Sequence, residues 1–245
     1  MGLPLQTFET INLPALNQRT NWEKRNDRKF VAHVSVLDSL LQSLSAEYLL
    51  LENDGHRLWH YTTEYWDTPD RNMFYQHQRD KEHRYKIRKR RYGSEDGFWL
   101  EVKEKTPGGR TLKHRLFNPA PGETETFIHD NSPYTQNELN PALFVDYERM
   151  TFLHKTLPQK ITVDINLTAG NGSTSIAFND LMILEFKSEK KEVAFAARIM
   201  KSQGLKPCSV SKYCIGMAIL HPELKQNAFK PTLLQIKKIS THGNP

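Results

Sequence analysis

The 245-residue chain has two cysteines, Cys208 and Cys214. Their spacing fits no zinc pattern, and two cysteines make no disulfide framework, so a stapled mini-fold and a zinc module are both excluded. The expectation is a pair of reduced thiols in a cytoplasmic protein. No run of 18 or more apolar residues occurs, so no segment is expected to cross a membrane as a helix. The opening stretch, MGLPLQTFETINLPAL, lacks a cationic segment followed by an apolar core, which argues against a secretory signal. Gln6 stands where myristoylation of Gly2 would want Ser or Thr. There is no internal repeat and no low-complexity block.

What is present is positive charge in a pattern. The net charge is +6, with a pI near 9.2, which points to an anionic partner. In RYKIRKRRYG (84–93), period 2 puts Arg84, Lys86, Arg88 and Arg90 on one face of a strand. In FWLEVKEK (98–105), Trp99, Glu101, Lys103 and Lys105 oppose Phe98, Leu100 and Val102. After a turn at Pro107-Gly108-Gly109, Lys113 and Arg115 alternate with Leu112, His114 and Leu116. KITVDINL (160–167) and ILEFKSE (183–189) repeat the pattern: Lys160, Thr162, Asp164 and Asn166 oppose Ile161, Val163, Ile165 and Leu167, and Glu185 and Lys187 oppose Leu184 and Phe186. A single such strand is ordinarily half-buried with its charges in water. Repetition over many strands is different, because like charges across a ladder repel. A multivalent anion on the shared face removes that conflict.

The remaining elements frame these strands. Residues 1–22 read as an N-terminal arm, 23–220 as the main domain and 221–245 as a helical tail. A short charged strand within 21–31 precedes an amphipathic helix over Val31–Leu44. Tyr48–Leu51, Leu58–Trp66 and Leu143–Leu153 read as strands, and Arg71–His83 as a short helix or loop. Residues 118–141, rich in proline, read as a long connection with one helical turn at most. Ser188 is the expected N-cap of a helix striped by Val193, Ala196, Ala197 and Met200, and Ser211–Ile219 is the expected last strand. Unpaired cations cost several kcal/mol each, roughly, in a dry interior. The expected fold is therefore α+β: a closed antiparallel β-barrel of about eight strands around a wet, charged tunnel, with helices packed outside. Arg would grip phosphate oxygens bidentately there, and Lys would act as a point charge.

Nine ordered stretches, RNDRKF (25–30), YWDTPD (65–70), RYKIRKRRYG (84–93), LEVKEK (100–105), GRTLKHR (109–115), YERMTF (147–152), ITVDINL (161–167), ILEFKSE (183–189) and SKYCIG (211–216), resemble the VTC domain family of the CYTH, or triphosphate tunnel metalloenzyme, superfamily. The resemblance implies a barrel that binds tri- and polyphosphate with Mn²⁺ or Mg²⁺. Its implied activity is a polyphosphate polymerase using ATP and orthophosphate or polyphosphate. It also implies phosphate contacts from Lys29, Arg88, Arg90, Lys103, Lys113, Arg149 and Lys212, with Arg115 as a neighbour, and a metal-binding role for Glu185. Of these, Arg88, Arg90, Lys103, Lys113 and Arg149 would carry catalysis. Asp27 stands where the family tends to have Glu, and Ser209 where the polymerase has another Lys, which puts the direction of the reaction in doubt. The eukaryotic relative moves its product across a membrane, so a membrane-associated partner is an expectation of the resemblance alone.

Glu185 has the alternative role of an ion pair with Lys187 or a cross-strand Arg. Glu101 reads as a partner of Lys103 rather than a second metal ligand, and Asp164 as either a ligand or an orienter of Arg149. His83, His114 and His154 show no metal spacing, and Tyr92, Tyr147 and Tyr213 read as packing. Two other functions use the same residues. A tunnel triphosphatase would replace the phosphate acceptor with water. A nucleic-acid-binding sheet would use Lys86–Arg91, but such surfaces pair cations with exposed aromatics, whereas here the aromatics fall mostly on apolar faces, so no nucleic-acid partner is expected.

Overall fold

Strands that alternate charged and apolar residues can hide only one face, and in this protein they assemble into one large, almost wholly antiparallel sheet. The computed structural model describes residues 3–22, 26–93, 95–189 and 194–241. The strands are β1 (Thr10–Ile11), β2 (Asn26–His33), β3 (Tyr48–Leu51), β4 (Trp59–Asp67), β5 (Arg84–Tyr92), β6 (Trp99–Lys105), β7 (Thr111–Phe117), β8 (Asn140–His154), β9 (Gln159–Gly170), β10 (Ser175–Phe178) and β11 (Leu181–Ser188). The helices are α1 (Leu13–Arg19), α2 (Leu37–Ser45), α3 (Asn72–Gln78), α4 (Pro121–Asn131), α5 (Ala194–Ser202), α6 (Lys212–Leu220) and α7 (Lys230–Thr241).

The main order is β2-β11-β9-β8-β4-β5-β6-β7, with β1, β3 and β10 attached at the side. The α+β class and the antiparallel sheet are as expected. Closure is not: among the described residues no ladder joins β2 to β7. The far edge of β2 is already in use. Cys208 N–H donates to Lys29 O at 2.8 Å and Phe30 bridges to Pro207, so a chain segment occupies the place where β7 would pair.

The sheet's outer side is covered by helices. Leu37, Leu40, Leu41 and Leu44 of α2 pack on Phe152, Ile161, Val163, Leu184 and Phe186. Each such buried leucine contributes roughly 1.5–3 kcal/mol, ample to hold a nine-residue helix. Leu5, Phe8, Ile11 and Leu16 of the N-terminal segment are also buried. On α4, Ile128 packs with Ile87, Leu100 and Val102.

The inner side is divided. One part is apolar and is filled by α6, which packs with Leu143, Val145, Leu167, Ala169 and Ile183. The last expected strand is thus a helix. Residues Tyr213–Ala218 are all buried, so no helical stripe marks it in the sequence. Gly216 allows the close approach: a Cβ there would lie 2.7 Å from Leu143 Cδ2 and 3.2 Å from Ala169 Cβ. The rest of the inner side is cationic and open.

Other expectations shift. The helix predicted from Val31 begins at Leu37, because Val31 continues β2. The proline-rich connection contains the three-turn helix α4, started by Pro121 at N1 and by Glu123, which accepts from Ala120 N–H at 2.9 Å. Ser188 ends β11 rather than capping a helix, and α5 begins at Ala194; Val193 lies outside the described residues. In β9, Asn166 adopts φ +51° at an irregularity opposite Asp146–Glu148 and turns outward to Glu148, leaving the polar face it was expected to share.

Candidate functional site

The open part of the inner face is a cavity of about 380 Å³ to which β2, β4, β5, β6, β7, β8, β9 and β11 all contribute side chains, with Val210, Ser211 and Lys212 at one end. Three carboxylates organise its cations. Glu101 on β6, 1 % exposed, faces Arg88 across the ladder and accepts from Arg88 Nε at 2.7 Å, with Nη2 at 2.6 Å. Lys113 of β7 pairs with its other oxygen, and Arg90 Nη1 stands 3.9 Å away. Burial would raise the Glu101 carboxyl, but Arg88, Arg90 and Lys113 outweigh it and hold it well below the usual range. Arg90, itself buried, is fixed by Nε donating to Thr63 Oγ1 at 3.1 Å.

Arg149 and Asp164 meet across β8 and β9, and Lys212 at the start of α6 closes on the same carboxylate. Arg149 lies 5.0 Å from the Tyr61 ring and Lys212 lies 4.3 Å from the Tyr147 ring. Ser211 caps α6 by accepting from Cys214 N–H, which aims Lys212 into the cavity. On β11, Glu185 is paired with Lys187 at 3.1 Å and registers opposite Lys29, whose Nζ donates to Val210 O at 3.1 Å. Burial again opposes ionisation of Glu185, and Lys187, Lys29 and Arg149 overcome it.

A row of lysines crosses the sheet at Lys86, Lys103 and Lys113, which are successive cross-strand partners. Burial, and then Lys86, Lys29 and Arg88, bring the Lys103 ammonium down to about 7. Burial, with Arg88 and Arg90, brings Lys113 to about 8 despite Glu101. Burial lowers Lys86 also, and its Nζ donates to Ser211 Oγ at 3.0 Å. These lysines carry more repulsion than the wall's own carboxylates relieve.

The wall therefore brings together Lys29, Arg88, Arg90, Lys103, Lys113, Arg149, Lys212 and Glu185. Arg115 is not on it; its guanidinium lies 4.7 Å from the Trp99 ring, in an exposed residue. Sequence reasoning passed over Lys86, Lys160 and Lys187 as site residues, although each shares the period-2 face of a chosen neighbour. Tyr65 was hidden among the aromatics of β4. Tyr147, read as packing, packs and also faces the cavity.

Among the described residues no cluster of three or more His, Cys, Asp or Glu side chains could hold a metal alone. The donor set nonetheless suits Mg²⁺ or Mn²⁺ arriving with a phosphate chain. Such hard cations bind through one or two carboxylates plus phosphate oxygens and water, not through an all-protein cage. Among the described residues Glu185 has a single ion-pair partner, Lys187, whereas Glu101 and Asp164 are each held by two or more cations.

The VTC domain matches residues 24–221, most of the chain. The chain belongs to the VTC domain family. No curated protein matches it. Of solved structures, a putative adenylyl cyclase from Hippeastrum, described as having a dominant triphosphatase activity, is similar with a TM-score of 0.51 and 11 % identity over 80 % of this chain and 96 % of that one. A putative adenylate cyclase from Bacillus halodurans is similar with a TM-score of 0.48 and 14 % identity, over 76 % and 92 % of the two chains. At 11 % identity the likeness to the Hippeastrum protein speaks to the fold alone. None of the helices among the described residues is long and apolar enough to cross a membrane.

Proposed function

We propose that the protein is a polyphosphate polymerase that transfers the γ-phosphoryl group of ATP to orthophosphate or a growing polyphosphate chain inside the cationic cavity. Family membership supports phosphoryl chemistry in this tunnel. One observation favours a phosphate acceptor over water: all three wall carboxylates are tied to cations and their proton affinity is depressed. These carboxylates are poor general bases, and Lys103, near 7 in the empty cavity, is driven to its protonated form by bound phosphates, so water is left without the base it needs. A phosphate oxygen is already ionised near neutral pH.

In this reading the triphosphate lies along Arg88, Arg90, Arg149 and the lysines, which neutralise charge on its oxygens. Positioning and charge stabilisation are most of what phosphoryl transfer asks of a protein. The terminal oxygen of the acceptor attacks the γ-phosphorus in line, the bond from that phosphorus to the β–γ bridging oxygen breaks, and ADP leaves with the electron pair. No protein nucleophile is needed. Glu185 would hold Mg²⁺ or Mn²⁺, which when bound supplies Lewis-acid neutralisation of phosphate oxygens.

The test is incubation with ATP and Mn²⁺, with polymer resolved on a gel and free phosphate measured in parallel. Polymer with little free phosphate is expected. Stoichiometric free phosphate without polymer would overturn the reading in favour of triphosphate hydrolysis.

A further inference from the structure

Tyr65 is a buried residue of β4, 5 % exposed, on the wall of the cavity. Its ring centroid lies 5.1 Å from that of Tyr213 on α6, which fixes where the hydroxyl sits. Arg88, its cross-strand partner, donates from Nη1 to the Tyr65 hydroxyl oxygen at 3.4 Å. That contact uses the oxygen as an acceptor. The hydroxyl's own proton has no acceptor among the described residues. Two buried tyrosines off the cavity wall are served differently: Tyr48 donates to Gln159 Oε1 at 3.0 Å, and Tyr213 donates to Asp67, whereas Tyr147, on the same wall, likewise has no acceptor among the described residues. A donor on a cavity wall with no protein acceptor is available to whatever fills the cavity. The charged groups acting on this one are Arg88, Arg90, Lys86 and Lys212, all cations. What is missing from the arrangement is an anion.

We infer that the Tyr65 hydroxyl is a direct ligand of the bound phosphate chain, donating its proton to a phosphate oxygen held between Arg88 and Lys212. This rests on the reading of the cavity as a phosphate tunnel and adds a neutral donor to a wall otherwise read as cations. The electrostatics agree. Burial would raise the phenol, but Arg88, Arg90, Lys86 and Lys212 outweigh it and lower it to about 8. A phosphate chain that neutralises those cations restores the proton to Tyr65, and the phenol then has the acceptor it lacks. Chain binding and protonation of this residue are one coupled event.

The test uses tripolyphosphate and two measurements. First, the phenolate ultraviolet absorbance of the substrate-free wild type should show one tyrosine ionising near pH 8. That step should move to higher pH with saturating tripolyphosphate and be missing in Tyr65→Phe. Second, calorimetric titration should show Tyr65→Phe binding tripolyphosphate about tenfold more weakly, the loss of one hydrogen bond to a charged acceptor. Phe keeps the ring against Tyr213, and a thermal melt checks that the variant is folded. If the wild type binds tripolyphosphate but its tyrosine titration does not respond to it, or if folded Tyr65→Phe binds equally well, the assignment of Tyr65 is overturned and the tunnel reading stands. If the wild type does not bind tripolyphosphate, the tunnel reading itself fails.

Discussion

Arg149 and Asp164 face each other across β8 and β9 and join through two hydrogen bonds, Nε to Oδ1 at 2.5 Å and Nη2 to Oδ2 at 2.8 Å. Asp164 is 2 % exposed, and Lys212 shares its second oxygen. The pair is bidentate, the strongest form of such contact. It links the sheet to α6 and holds Arg149 in a cavity where an isolated guanidinium would be poorly solvated.

Asp164→Asn should therefore destabilise the free protein by about 2–3 kcal/mol, less than the roughly 3–5 of breaking a fully enclosed pair, because the cavity admits water. Tripolyphosphate should restore much of the loss by supplying the missing negative charge. Urea unfolding midpoints with and without tripolyphosphate check this; equal midpoints for variant and wild type would show that the carboxylate is not a structural counter-ion.

Arg88→Ala and Arg90→Ala should each lower polymer synthesis by about 10²–10³, the loss of a charge-assisted contact to a developing anion. Far-ultraviolet circular dichroism should be unchanged, since Glu101 keeps Lys113 and one guanidinium neighbour in either variant. Wild-type synthesis in both would remove β5 from the site.

Glu185→Gln should raise the Mn²⁺ concentration needed for half-maximal synthesis by about tenfold or more, through loss of a charged oxygen ligand. Paramagnetic titration of Mn²⁺ in the presence of tripolyphosphate reads the same effect without turnover. An unchanged Mn²⁺ affinity would leave Glu185 as a partner of Lys187 and nothing more.

The depressed lysines give a pH dependence of definite sign. In the empty protein Lys103 loses its proton near pH 7 and Lys113 near pH 8, whereas an unfolded lysine keeps it to about 10.4. Between these limits the unfolded chain binds more protons, so the stability of the empty protein should rise with pH across that window. Tripolyphosphate affinity should move oppositely, falling as pH rises through 7 and 8, because the anion favours charged lysines. Binding should take up protons, measurable by calorimetry in buffers of different ionisation enthalpy. Lys103→Arg, charged throughout, should flatten the lower part of the profile.

The cationic face was legible because a strand's period of 2 is strict: once Arg88 is placed, Arg90 and Lys86 follow. Glu101 and Asp164 were visible as acids among bases, but which cation each would take depends on register between strands, which no single strand encodes. The helix α6 was not legible. A helix apolar on every side has no stripe, and its β-compatible residues imitate a strand. In α4 the signal was thin, since Thr124 and Ile128 are its buried residues and its opening proline looks like a break. The outward turn of Asn166 depends on one residue entering the left-handed region, and any sequence pattern read at a fixed period runs straight through it.

Because Glu101, Asp164 and Glu185 already pair with Arg88, Lys113, Arg149, Lys212 and Lys187, a phosphate that reaches any of these cations competes with a resident acid. Its grip is only the difference between two similar attachments. In the proposed reaction, a chain that advances one unit per turnover needs a surface that releases as readily as it holds, and these internal acids give the wall that loose hand.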